Sequence, residues 1–194
     1  MTLIRVNPES IRAYAAHAQA VFDSITTSLD QLARDVVAVR YFGPNSVTFK
    51  TECGHLAADF GNRLHIDLSA MADAIRRSTS NIAVSLGGQP IGLSVSCRPI
   101  APPAPVAVDY VDVDTVALEA VVPVVIGHFG AIRDGLSHHF TQLERTDWRG
   151  TAKLAAVDAV GGFTTAARHR CDQAEQLLTS TIRQQVQAVV AADR

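Results

Sequence analysis

The sequence predicts an all-α protein: two tandem helix-turn-helix hairpins packed as an antiparallel four-helix bundle. Three observations predict it. Long apolar seams recur at helical spacing, the two halves align at an offset of 107 residues without a gap, and a Gly/Pro-rich segment separates them. The hairpins are assigned to residues 1–86 and 109–194, and the linker to 87–108.

The first helix begins where Asn7 precedes Pro8, an N-cap followed by proline at the first helical position. Its seam runs Ile11, Ala15, Ala18, Phe22, Ile25, Leu29, Leu32, Val36, Val39. Those steps alternate between four and three, which puts every residue on one stripe of a helix; a strand would alternate with period two. The counterpart in the second half runs Leu118, Val122, Val125, Phe129, Ile132, Leu136, His139, Leu143, with Asp114 as its cap. Pro123 lies within this seam and predicts a kink or a late start.

Each first helix ends at an aromatic-X-Gly sequence: Tyr41-Phe42-Gly43, then Trp148-Arg149-Gly150. Glycine lets the backbone reverse tightly between antiparallel helices. The aromatic either caps the exposed end of the bundle or packs the turn itself. The second helices carry Phe49, Cys53, Leu56, Phe60, Leu64, Leu68, Met71, Ile75, Ile82 and Leu154, Val157, Phe163, Ala167, Cys171, Ala174, Leu178, Ile182, Val186, Val189. Gly61 and Gly161-Gly162 read as weak points in them.

Gly87-Gly88-Gln89-Pro90 ends the first hairpin, and Pro99, Pro102, Pro103 and Pro105 keep the linker extended. Ile91 to Ser96 has the composition of a short strand. A lone hairpin exposes its whole seam, whereas two hairpins bury their seams against each other.

Composition narrows the function classes. A net charge of −2 with scattered basic residues gives no electrostatic footprint for nucleic acid or anionic membrane. The N-terminus lacks the apolar core of a Sec signal peptide. The most lipid-like stretch, Val116 to Ile126, is broken by Glu119 and Pro123 and falls short of the ~20 residues of a spanning helix. The three cysteines, Cys53, Cys97 and Cys171, are too dispersed for a disulfide framework or zinc site.

Catalytic and metal-binding constellations are not read in the chain. His138 and His139 are neighbours on a helix and point about 100° apart, so they do not chelate one ion. His139 falls on the apolar seam and reads as a core histidine. Cys53-Gly54-His55 with Asp59 is a weaker cluster, and Arg168-His169-Arg170 reads as a solvated face. No nucleophile elbow, P-loop or zinc-protease motif occurs. No catalytic, cofactor or metal residues are therefore assigned, and no enzyme is expected.

A capped helix, a Trp-X-Gly turn and a second amphipathic helix together resemble the WXG family. Those are small helical hairpins exported by type VII (ESX) secretion systems of actinobacteria and other Gram-positive bacteria. Trp148-Arg149-Gly150 matches the motif, and Tyr41-Phe42-Gly43 stands in the same place with tyrosine for tryptophan. Family members pair as homo- or heterodimers, so the resemblance implies a dimer fused into one polypeptide, an intramolecular pseudo-dimer.

It further implies a non-enzymatic, secreted or surface-located interaction protein. Such a protein is cytoplasmic before export and leaves by a non-Sec route. Its protein partners would be the secretion machinery, another hairpin (a homodimer included) or an effector. Related modules at the N-termini of toxins serve as export adaptors. Family substrates carry a Tyr-X-X-X-Asp/Glu signal, which Tyr110 and Asp114 match in spacing, one helical turn apart. They stand before the second hairpin rather than after a second helix. Two other readings fit the same seams: a membrane-active or pore-forming assembly, and a cytosolic helical scaffold.

Overall fold

The computed structural model describes residues 5–85, 87–90, 92, 100–102 and 104–193. The described chain is all-α. Its helices are α1 (Pro8–Ala38), α2 (Pro44–Ser85), α3 (Thr115–Arg145) and α4 (Thr151–Ala192). A two-residue strand precedes each helix: β1 (Arg5–Val6), β2 (Tyr41–Phe42), β3 (Asp112–Val113) and β4 (Trp148–Arg149). Every element of the second half starts and stops 107 residues after its counterpart in the first. The strand read over Ile91–Ser96 lies outside the described residues apart from Gly92, as do Cys97, Pro99 and Pro103.

The helix starts follow from their caps. Asn7 Oδ1 accepts hydrogen bonds from the amides of Glu9 (3.1 Å) and Ser10 (3.4 Å), and Asp114 Oδ1 accepts from Ala117 N (2.9 Å). These contacts satisfy donors that the first helical turn leaves open. At the other end of α2, Gly87 adopts φ +80°, and Gly88 N reaches back to Ala83 O at 2.8 Å. That is a left-handed glycine closing a helix, and it ends the first hairpin.

Pro123 behaves differently from its sequence reading. α3 starts at Thr115 and runs continuously through Pro123, so there is no late start. The missing N–H frees the carbonyl of Glu119, and both residues are exposed, so water can take the place of the lost bond. Leu154 is a second correction. It is 71% exposed, and Ala156 and Val160 face inward in its place.

Two compact units form, and each draws on all four helices. One comprises Met1–Ile25, Arg63–Arg98 and Arg133–His169; the other comprises Thr26–Asn62, Pro99–Ile132 and Arg170–Arg194. Each unit thus gathers the start of one helix of a hairpin with the end of its mate, which makes the helices of a hairpin antiparallel.

In the first unit, Trp148 is fully buried against Ile11, Ala83 and Ala156, with Val6, Ile82 and Ala152 packed around them. In the second, Phe60 and Phe129 meet with ring centroids 5.3 Å apart, and Leu29, Leu32, Leu118 and Val125 are also buried there.

The linker also packs into the second unit. Ile100 is buried, and its amide donates to Asn62 Oδ1 at 3.0 Å. Gly61, read as a weak point, is where Ile100 sits: a Cβ there would collide with Ile100 Cδ1. One added at Gly54 would lie 2.9 Å from Pro102 Cβ. The two glycines, two helical turns apart, let the linker approach the α2 backbone.

Candidate recognition site at the turns

Both turns are built alike. Gly43 has φ 126° and Gly150 has φ 128°, a left-handed region that residues with a Cβ rarely adopt. In the second unit β2 pairs antiparallel with β3, Tyr41 opposite Val113, and Asp114 N donates to Arg40 O at 3.1 Å. In the first unit β1 pairs with β4, Val6 opposite Trp148, and Asn7 N donates to Asp147 O at 3.0 Å. Each turn is therefore stitched to the strand that leads into the other hairpin's first helix.

The motif aromatics face inward. Tyr41 is buried, its ring meets Phe49 at a tilt with centroids 5.8 Å apart, and its hydroxyl accepts from Gln185 Nε2 at 2.7 Å. Burial raises its pKa, an effect the Gln185 bond opposes. Trp148 is 1% exposed, and its indole Nε1 has no hydrogen-bond partner among the described residues. What the turns present outward comes from their neighbours. Arg149 is exposed, and Phe42 is half-buried between the Tyr110 ring (6.0 Å) and Lys50 Nζ (4.8 Å from its centroid). Burial lowers the Lys50 pKa, so this ammonium lies in a partly desolvated cation–π contact.

A groove opens beside each turn. The larger, about 530 Å³, is lined by Tyr41, Phe42, Gly43, Pro44, Asn45, Val111, Val113, Thr115 and the end of α4 from Gln185 to Asp193. The smaller, about 310 Å³, is lined by Asn81, Ile82, Ser85, Arg149, Gly150, Thr151 and Ala152. Each residue of the smaller groove has its counterpart, 107 positions away, in the larger one. The groove is thus a property of the repeat. Its walls differ: phenylalanine and proline stand at 42 and 44, arginine and threonine at 149 and 151.

Tyr110 and Asp114 do not share a helix face. Residues 110–114 lie ahead of α3 in a bend and the strand β3. Asp114 caps α3, while Tyr110 is 56% exposed against Phe42, which lines the larger groove. The motif spacing therefore occurs in non-helical backbone, which carries its two side chains to different tasks.

His17, His138 and His139 are placed by α1 and α3 in the first unit. Tyr14 Oη and His139 Nε2 lie 3.0 Å apart in the core, and the His139 ring also meets Phe22 at 5.0 Å. Burial, with a smaller contribution from His17, lowers His139 to about 4, so its imidazole is neutral at pH 7. His17 and exposed His138 meet edge to face at 4.8 Å, and His17 is also lowered, first by burial and then by His138. Cys53 is buried, and its thiol is pushed up to about 12, which makes it unreactive at neutral pH. Arg168, His169 and Arg170 are exposed. Among the described residues, no group of three or more His, Cys, Asp or Glu is placed to hold a metal ion.

No protein-family model, curated protein or solved structure matches the chain.

Sequence reading missed Tyr14, the partner of His139, because the seam was drawn through its neighbour Ala15, whereas Tyr14 is the more deeply buried. It also missed Lys50 over Phe42. Nothing in linear spacing marks either pair.

Proposed function

We propose that the chain is a non-enzymatic interaction module of type VII (ESX) export, acting as a secreted substrate or as an export adaptor. The observation that carries this reading is the doubled pattern of capped helix, aromatic-X-Gly turn and long second helix, repeated at 107 residues without a gap. In this reading Tyr41 and Trp148 hold the turns in shape from the inside. Recognition falls to the groups around them: Phe42 and Val111 in the larger groove, Tyr110 against Phe42, and Arg149 in the smaller groove. A component of the secretion machinery, an effector or another hairpin would place an apolar side chain in the larger groove.

The test is to express the tagged chain in a host with and without a working type VII ATPase, then blot culture filtrate against cell pellet. Appearance in the filtrate only with the active ATPase supports the proposal. Retention in the pellet of both strains rejects it. Phe42→Ala, Tyr110→Ala and Arg149→Glu should each lower export several-fold while leaving the melting temperature within a few degrees of the parent.

A second reading, a membrane-active assembly, is favoured by one helix. α3 is long and apolar enough to cross a membrane by length and composition, with a mean hydropathy of 1.8 over its best 18 residues and 33% of that window buried. The lipid-like stretch Val116 to Ile126 falls short of a span by itself, but it lies within one helix that also carries Phe129 and Ile132. Val116, Val124 and Ile126 lie exposed on it. Release of dye from liposomes on addition of the full chain would support this reading over the first, and intact liposomes would exclude it.

A further inference from the structure

The repeat sets opposite charges at equivalent positions, and the structure shows what those charges touch. At the 107-residue offset Arg5 corresponds to Asp112, and Arg40 corresponds to Asp147. In the first unit Arg5 Nη2 lies 2.9 Å from Asp147 Oδ2. In the second, Arg40 Nη2 lies 3.0 Å from Asp112 Oδ2, and Arg40 Nε donates to the same carboxylate at 3.0 Å. The two bridges are one contact made twice, with the charges exchanged. Both tie the strand ahead of one hairpin to the turn of the other.

The exchange matters when a hairpin meets a second copy of itself. Two first hairpins paired in the same geometry would set Arg5 against Arg40, and would do so twice. Two second hairpins would set Asp112 against Asp147, again twice. Like charges at this separation repel, whereas pairing of first with second hairpin turns both contacts attractive. Charges flanking a helical seam choose partners in this way in coiled coils.

A buried pair carries the same sense. Tyr14 and His139 share a 3.0 Å hydrogen bond, while their counterparts Val121 and Leu32 are apolar and buried. Self-pairing would place the Tyr14 hydroxyl against Leu32 and the His139 imidazole against Val121. Each buried polar group would lose its partner, which is costly even where a surface ion pair is not. The Asp35–His128 contact (2.9 Å) adds a third asymmetry, because its counterparts are Gln142 and Val21.

We propose that these polar contacts key the first hairpin to the second and bar either from pairing with a copy of itself. The first hairpin then accepts only a partner hairpin with an acid at the place of Asp147 and an imidazole at the place of His139. That partner is the chain's own second hairpin, in the same molecule or in one that has exchanged hairpins with it. The inference rests on the repeat and its contacts, and stands or falls independently of export.

The test uses full-length chains of identical composition, all of them (parent included) carrying Tyr14→Val and His139→Leu, which match these positions to Val121 and Leu32 and leave the bridges to decide the pairing. Arg40→Asp with Asp147→Arg inverts the key: first-to-second pairing becomes repulsive at both bridges and self-pairing becomes attractive. Adding Arg5→Asp and Asp112→Arg restores opposite charges everywhere. Each protein is refolded from urea at matched concentrations, and its molar mass and melting temperature are measured at low and high salt. The inverted chain should melt lower and show a several-fold larger fraction of dimers and higher oligomers, both effects shrinking at high salt. The restored chain should match the parent. An inverted chain that loses its helix while the restored chain keeps it also supports the key, since only the facing of like charges differs between them. Two outcomes would overturn it: an inverted chain that stays helical without gaining mass, or a restored chain as impaired as the inverted one.

Discussion

At the scale of single residues, His139 shows how burial and hydrogen bonding divide the control of one side chain. Its seam position follows from helical spacing, and that position removes it from water, which lowers its pKa to about 4. The unfolded chain holds the same group near 6.5. A base whose folded pKa is depressed takes up fewer protons folded than unfolded between those values. Its stabilising contribution is therefore complete above about pH 6.5 and is lost as the pH falls toward 4. The shift corresponds to roughly 3 kcal/mol. Urea denaturation at pH 7, 5.5 and 4.5 should show stability falling by that order. His17, lowered in the same direction and packed on exposed His138, adds to the slope. His139→Gln should flatten the profile while keeping a hydrogen-bonding group for Tyr14; an unchanged slope in the variant would remove His139 as its source.

At the scale of elements, two helical glycines that look alike in sequence play opposite parts. A Cβ at Gly61 would meet Ile100 Cδ1 and lie 3.3 Å from Leu29 Cδ1, whereas a Cβ at Gly162 would meet nothing within 4 Å. Alanine gains about 1 kcal/mol over glycine in an open helix. At Gly61 that gain is outweighed by an overpacking cost of about 1–3 kcal/mol. Gly61→Ala should thus destabilise the chain and expose residues 100–102 to limited proteolysis. Gly162→Ala should stabilise it by up to about 1 kcal/mol, with the linker still protected. Equal effects of the two substitutions in urea denaturation would contradict this assignment. The caps and turns needed no such help to be read: Asn7, Asp114, Gly43 and Gly150 act within three residues of where they stand. Leu154 misled for the converse reason. At the start of a long helix the apolar stripe admits more than one line, and packing rather than spacing chose Ala156, which is buried with Ile11, Ala83 and Trp148.

At the scale of the molecule, each compact unit is assembled from segments of both hairpins, so neither hairpin holds a core of its own. An isolated first hairpin, residues 5–90, should therefore show weak, uncooperative thermal melting by circular dichroism, and the full chain a sigmoidal transition. A cooperative melt of the isolated hairpin at the temperature of the full chain would refute this. The candidate site divides in the same way. Its motif letters were legible at 41–43 and 148–150, but the outward chemistry came from Tyr110, Val111 and the end of α4, which meet the turn only in the folded chain.

Features that depend on neighbours along the chain were legible before folding was considered: the helical class, the caps, the two glycine turns and the 107-residue repeat. These are set by spacing and by backbone conformations that few residues adopt. Only the tertiary structure decided which distant side chains meet: Tyr14 with His139 across 125 residues, Arg40 with Asp112 across 72, and Ile100 on Gly61. The reason is physical. Apolar spacing says which face of a helix is buried but not against what, and polar partners and close approaches are chosen by the helix that arrives there.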